Sequence, residues 1–152
     1  MKKLILCLSL SLVTLGLWAE DWMKADWYAT KKQVVAKMGV PVEDNGTFVN
    51  YQIKVAGIPM ESEFHFKDQM LQSIFAFSDL EVFDKVLEAL VNEYGRPQSS
   101  DKADDGSRGY TWRRPNFWIR LVEFSGSPFG VQILPRDTTD PDIVAVRKKL
   151  SD

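Results

Sequence analysis

The chain has 152 residues, with 19 Lys and Arg against 21 Asp and Glu, one His and one Cys, which is the size of one ordinary domain. That length excludes a large multidomain assembly. A formal net charge of −2 also argues against nucleic acid as a partner, because such binding draws its affinity from a strongly basic face.

Residues 1–19 differ from the rest. Lys2 and Lys3 precede an apolar run from Leu4 to Leu17, after which Trp18-Ala19 meets Glu20-Asp21. The run is shorter than the ~20 residues of a bilayer-spanning helix. Its place behind two lysines at the N-terminus is that of a secretory signal peptide, cut after Ala19. Leu17 is bulkier than the residue preferred at that position of a cleavage site, so an uncleaved anchor is the alternative. The expected location is periplasmic or secreted, with no transmembrane span in the mature chain. Removing residues 1–19 takes away two lysines and leaves 133 residues with 17 basic and 21 acidic groups, a charge of −4. Cys7 leaves with the leader. Disulfides, thiolate nucleophiles and Cys-based metal sites are then excluded, and the core alone must hold the fold.

Along the mature chain, Asp21 to Tyr28 is a polar and aromatic lead-in. Thr30-Lys31-Lys32-Gln33 has the form of a capping box, and Val34, Val35 and Met38 continue at helical spacing until Gly39 and Pro41 stop the helix. From Phe48 the period becomes two. Val49, Tyr51, Ile53 and Val55 predict a half-buried strand, Met60, Phe64 and Phe66 a second, and Met70 to Phe77 a third, in meander order. Ser78-Asp79-Leu80-Glu81 reads as another capping box, ahead of a helix carrying Phe83, Val86, Leu87, Leu90, Val91 and Tyr94 and ended by Gly95 and Pro97. Gln98 to Gly109 reads as a flexible loop. Strands follow at Tyr110 to Arg114, Phe117 to Phe124 and Phe129 to Leu134, with a turn at Ser125 to Pro128 between the last two. Asp140 and Pro141 then open a helix over 140–150 with Ile143, Val146 and Leu150 on one face and Arg147, Lys148 and Lys149 near its end.

The expected architecture is therefore α+β: one domain over residues 20–152, built of two helix-plus-three-strand antiparallel units in the order αβββαβββα. The units span approximately 27–77 and 78–134 and are closed by the helix at 140–150. Shared Gly-x-Pro helix ends make an internal repeat the natural reading. Each unit alone, at ~55 residues, would be marginal.

The segment Thr30-Lys31-Lys32-Gln33-Val34-Val35, ending in Met38-Gly39-Val40-Pro41 and followed by strands, resembles the helix signature of the SmpA/OmlA (BamE) outer-membrane lipoprotein family. The tandem layout is similar to the broader group containing the beta-lactamase inhibitor protein. The lipobox cysteine of the lipoprotein family is absent here, and the second unit has no counterpart in its single domain. The resemblance implies a helix-plus-sheet fold and an envelope location, and transfers no function.

Few residues are arranged for catalysis. His65 is the single histidine, and on a strand it shares a face with Glu61 and Glu63, at steps of ~6.8 Å. Such a row could hold a weak metal ion, but it reads more simply as a solvated face. No nucleophile elbow, phosphate loop, Rossmann fingerprint or calcium loop is present. The paired carboxylates Glu43-Asp44 and Asp104-Asp105 fall in polar stretches that offer no burial to raise a pKa. No cofactor is expected, and the chain reads as non-enzymatic.

The most unusual composition is Trp112-Arg113-Arg114-Pro115-Asn116-Phe117-Trp118-Ile119-Arg120, three arginines and three aromatics about one turn. These residue types dominate protein interfaces, and aromatics also stack on sugars. Trp112, Arg113, Arg114, Phe117, Trp118 and Arg120 are the candidate binding residues. The bland alternative places Trp112 in the core with the arginines as its polar face, and Trp118, out of phase with Ile119 and Leu121, is the residue that distinguishes the two. The expected function is binding of an envelope protein partner, in the manner of an assembly or inhibitor module. Binding of peptidoglycan or another glycan through exposed aromatics, and a metal-dependent enzyme at His65, are the alternatives.

Overall fold

The computed structural model describes residues 21–123 and 129–136. The leader at 1–19, the turn at Ser125 to Pro128 and the helix expected at 140–150 lie outside the described residues.

The lead-in forms a 3-10 turn at Asp21–Lys24 that buries Trp22 in the core. Helix α1, Lys31–Met38, opens with the expected capping box: the Thr30 hydroxyl accepts from the Gln33 amide while the Gln33 side chain accepts from the Thr30 amide. Gly39 follows at φ 92°, a conformation that costs glycine nothing and other residues a steric clash. The strands are β1 (Glu43–Asp44), β2 (Phe48–Val55), β3 (Ile58–Lys67) and β4 (Met70–Ser78). After helix α2 (Phe83–Tyr94) come β5 (Ser99–Lys102), β6 (Arg108–Arg113), β7 (Phe117–Val122) and β8 (Phe129–Pro135).

All eight strands join one antiparallel sheet in the order β1-β2-β3-β4-β8-β7-β6-β5. This overturns the expected αβββαβββα arrangement of two repeated helix-plus-three-strand units at 27–77 and 78–134. β4 hydrogen-bonds directly to β8, from Ile74 opposite Ile133 to Ser78 opposite Phe129, so the strands form one continuous sheet. The repeat reading also missed two strands. Glu43-Asp44 pairs with β2 as a short charged edge, and the supposed loop at Gln98 to Gly109 contains β5 and the start of β6. Neither carries the apolar alternation by which a strand is recognised, and both lie at sheet edges, where short polar strands are favoured. The second expected capping box is likewise not formed. Asp79 makes no side-chain cap bond, and Leu80–Val82 is a 3-10 turn that delays α2 to Phe83.

The core lies on one face of the sheet. Val49, Phe64, Ile74, Ile133, Ile119 and Trp112 form a register row across β2, β3, β4, β8, β7 and β6, and each is fully buried. Trp22, Val34, Phe83, Val86 and Leu90 from the helical elements belong to the same cluster. Helix α2 is fastened at both ends. Phe83 meets Phe129 edge to face at 5.4 Å, and the Trp112 indole donates to the Gly95 carbonyl at 2.8 Å. Arg108 lies 4.3 Å from the Phe83 ring centre and donates to Glu123 at 2.6 Å and Asp84 at 3.1 Å. The bond to Glu123 above all holds its guanidinium protonated even more firmly than usual.

Two predictions follow from this packing. Replacing Trp112 with Ala removes a buried aromatic and leaves the Gly95 carbonyl without its donor, so unfolding stability should fall by about 3–5 kcal/mol; urea titration measures it. At the β1 edge, the hydrogen bond from Lys31 (2.7 Å), and then that from the Gly46 amide, hold the Asp44 carboxyl below its ordinary 3.8. A carboxyl depressed in the folded state contributes stability above its unfolded pKa, and that contribution is lost as pH falls through the depressed value. Asp44→Asn should therefore flatten the acid side of a plot of melting temperature against pH, below the ordinary value of 3.8, and leave the slope above neutrality unchanged.

Candidate interaction surface

Because strand side chains alternate, burying one face of the sheet forces a second set of residues onto the other. The described helices all contribute to the core side, so none of them packs on this second face. Its central row runs from Glu63 on β3 through Phe75 on β4, Gln132 on β8 and Arg120 on β7 to Thr111 on β6. A neighbouring row holds Glu61, Phe77, Gly130 and Val122, and on the other side Leu134, Trp118 and Arg113 are register partners. The result is an apolar middle on β4 and β8, with Glu61 and Glu63 to one side and Arg113 and Arg120 to the other. Glu63 and Arg120 stand three strand spacings apart, ~14 Å, too far to pair within one chain.

Gly130 permits the close packing of this middle. A Cβ placed there would lie 2.2 Å from Cζ of Phe75, so only glycine lets that ring cross β8. Gly130→Ala should accordingly destabilise by about 1–3 kcal/mol. Because the cost arises from the ring, the same change in a Phe75→Ala background should be nearly neutral; a double-mutant cycle by thermal denaturation reads that coupling.

The candidate residues from Trp112 to Arg120 divide between the two faces. Trp112 is fully buried in the core. Arg114 and Phe117 turn toward the helical side: the Arg114 guanidinium lies 5.4 Å from the Tyr94 ring centre, and Phe117 meets Trp22 edge to face at 4.9 Å. Arg113, Trp118 and Arg120 share the second face. Arg113 is exposed, with its guanidinium 5.0 Å from the centre of the half-buried Trp118 ring, and Arg120 is exposed beside them. The phase shift of Trp118 against Ile119 and Leu121 was the sequence signal that separated this subset. Phe75 and Phe77 lie on this same second face, because the strand period sets them opposite the buried Ile74 and Ala76, and that alternation is their sequence signal.

His65 lies on the acidic side, its Nε2 2.8 Å from Glu63. Among the described residues no group of three His, Cys, Asp or Glu side chains is arranged to hold a metal ion. A shallow concavity of about 330 Å³ is lined by Thr30, Lys31, Lys32, Gly46, Phe66 and Gln69. The Lys31 ammonium on its wall is already engaged by Asp44 and the Gly46 carbonyl. Among the described residues no helix is long and apolar enough to cross a membrane.

No family model and no curated protein matches the chain. Among solved structures it is similar to the crystal structure of a DUF4309 family protein (YjgB) from Bacillus subtilis, with 18% identity and a TM-score of 0.45, over 71% of this chain and 79% of that one. Neither fold nor function is carried over from a likeness of that size.

Proposed function

We propose that this chain is an exported envelope protein, periplasmic or secreted, that acts by binding a protein partner through the basic side of the second sheet face. The observation that carries the reading is the stacking of Arg113 over Trp118 at 5.0 Å, with Arg120 two residues along β7 on the same side, on a face against which no described helix packs. Arginine and tryptophan are the residue types most enriched at interface hot spots. Held on adjacent strands, they present a preorganised apolar and cationic patch suited to an acidic or aromatic partner surface. The reading is of a binding rather than a catalytic protein: His65, the single imidazole, is half-buried with its Nε2 2.8 Å from Glu63, on the acidic side of the face and apart from the arginine and tryptophan patch. Sugar stacking is the less favoured use of Trp118, because Arg113 already occupies one face of its ring.

Crosslinked capture from intact cells tests this surface. The triple variant Arg113→Ala, Trp118→Ala, Arg120→Ala should reduce capture of a partner about tenfold or more, while Arg114→Ala, which alters the helical side, should leave it unchanged. Equal capture by both variants would overturn the assignment, and retention on purified cell wall that is lost with Trp118→Ala would replace the protein partner by a glycan.

A further inference from the structure

We propose that the partner of the second sheet face is a second copy of this chain, docked sheet to sheet about a twofold axis that runs along the strands between β4 and β8. The proposal rests on the reading of this face as a binding surface, and names what binds there. It starts from the register. Glu63 on β3 and Arg120 on β7 belong to one row, with β4 and β8 between them. The carboxylate and the guanidinium therefore stand equally far from the β4–β8 seam, ~7 Å on either side. Too far apart to meet within one chain, they are placed to meet between two.

A twofold axis lying in the interface and parallel to the strands exchanges the two sides of the sheet while keeping each residue's height along the strand. It sets Glu63 of each copy over Arg120 of the other, twice, which is the reciprocal contact of an isologous dimer. Two residues further along in the same direction, His65 on β3 and Trp118 on β7 are exchanged as well, so the arginine and tryptophan patch meets an acidic and aromatic one. A twofold across the strands would instead set Glu63 over Glu63 and Arg120 over Arg120, so charge selects the first arrangement. Phe77 and Leu134, both half-buried, lie between the two charged columns and supply apolar area at the centre of the contact.

Packed sheets stand ~10 Å apart, a gap that a glutamate and an arginine bridge end to end. Their usual inclination of ~30° displaces Glu63 from Arg120 by ~4 Å at this distance from the axis, within the swing of a flexible arginine. Both groups can take part. Among the described residues Arg120 is exposed and forms no ion pair. Glu63 turns Oε2 toward His65, and a carboxylate accepts at about four lone-pair sites. A partner of different sequence would need a surface of one sign only. Here both signs sit on one face at matched distances, the self-complementary pattern of a symmetric dimer.

Analytical ultracentrifugation of the chain, in the form recovered from cells, tests this. The unaltered protein should be a dimer, and Glu63→Arg or Arg120→Glu alone should raise its dissociation constant at least about a hundredfold, because each brings two like-charged pairs together. An equimolar mixture of the two single variants should dimerise again, since both contacts are then of opposite charge, and so should the double variant. Recovery in the mixture also shows that each variant is folded. Glu63→Gln, which keeps the shape of the side chain, should weaken the dimer about tenfold. A monomeric unaltered chain would overturn the proposal, as would a dimer that the single reversals and Glu63→Gln leave intact, or folded single variants whose mixture stays monomeric. A monomer whose capture of a different envelope protein is lost with Arg113→Ala, Trp118→Ala, Arg120→Ala would remove the second copy and leave the binding reading of the face in place.

Discussion

The pairing of β4 with β8 is the contact on which the rest of the structure depends. Without it, β1 to β4 would present an unpaired backbone edge at β4, and β5 to β8 another at β8, each lined with apolar side chains that cannot be left in water. Hydrogen bonding the two strands from Ile74 and Ile133 to Ser78 and Phe129 removes both edges together. It also aligns Val49, Phe64, Ile74, Ile133, Ile119 and Trp112 into one buried row that neither set of strands could complete alone. The edges that remain, at β1 and β5, are short and charged, which discourages further strands from adding there.

The two faces of the sheet then acquire different roles. On the covered face, Trp22, α1 and α2 close the core, and their attachments use groups made available by strand ends, such as Trp112 donating to Gly95 and Arg108 bridging Glu123 and Asp84. On the other face the same register that aligns the core also sorts charge. Acids fall on β3, arginines on β6 and β7, and phenylalanines on β4 between them. The arginine and tryptophan patch and the apolar strip thus lie side by side on a single sheet without sharing residues.

Much of the local structure was legible because it depends on short spacings. The Thr30 to Gln33 cap, the stripe of Phe83, Val86 and Leu90, and the alternation of Val49, Tyr51, Ile53 and Val55 each express a helical or strand period within a few residues. The β2-β3-β4 meander was legible for the same reason, since its connections are too short for anything else. The polar strands β1 and β5 were not, because their only reason to be strands is the neighbour they pair with. Ser78 to Glu81 misled in the opposite direction: its residue types suit a capping box, but the chain continues from β4 into a 3-10 turn before α2 begins.

By itself, the sequence determined which residues alternate and that α1 opens at the Thr30 to Gln33 cap. It also marked Trp112 to Arg120 as unusual and Trp118 as out of phase. Only the tertiary structure decided that the strands form one sheet, and that the arginine and aromatic cluster splits, with Trp112 in the core, Arg114 and Phe117 against Tyr94 and Trp22, and Arg113, Trp118 and Arg120 on the second face. The physical reason is that period fixes the face a side chain takes within its own strand, whereas the neighbour that strand meets is set by pairing between segments far apart in the chain, as with β4 and β8.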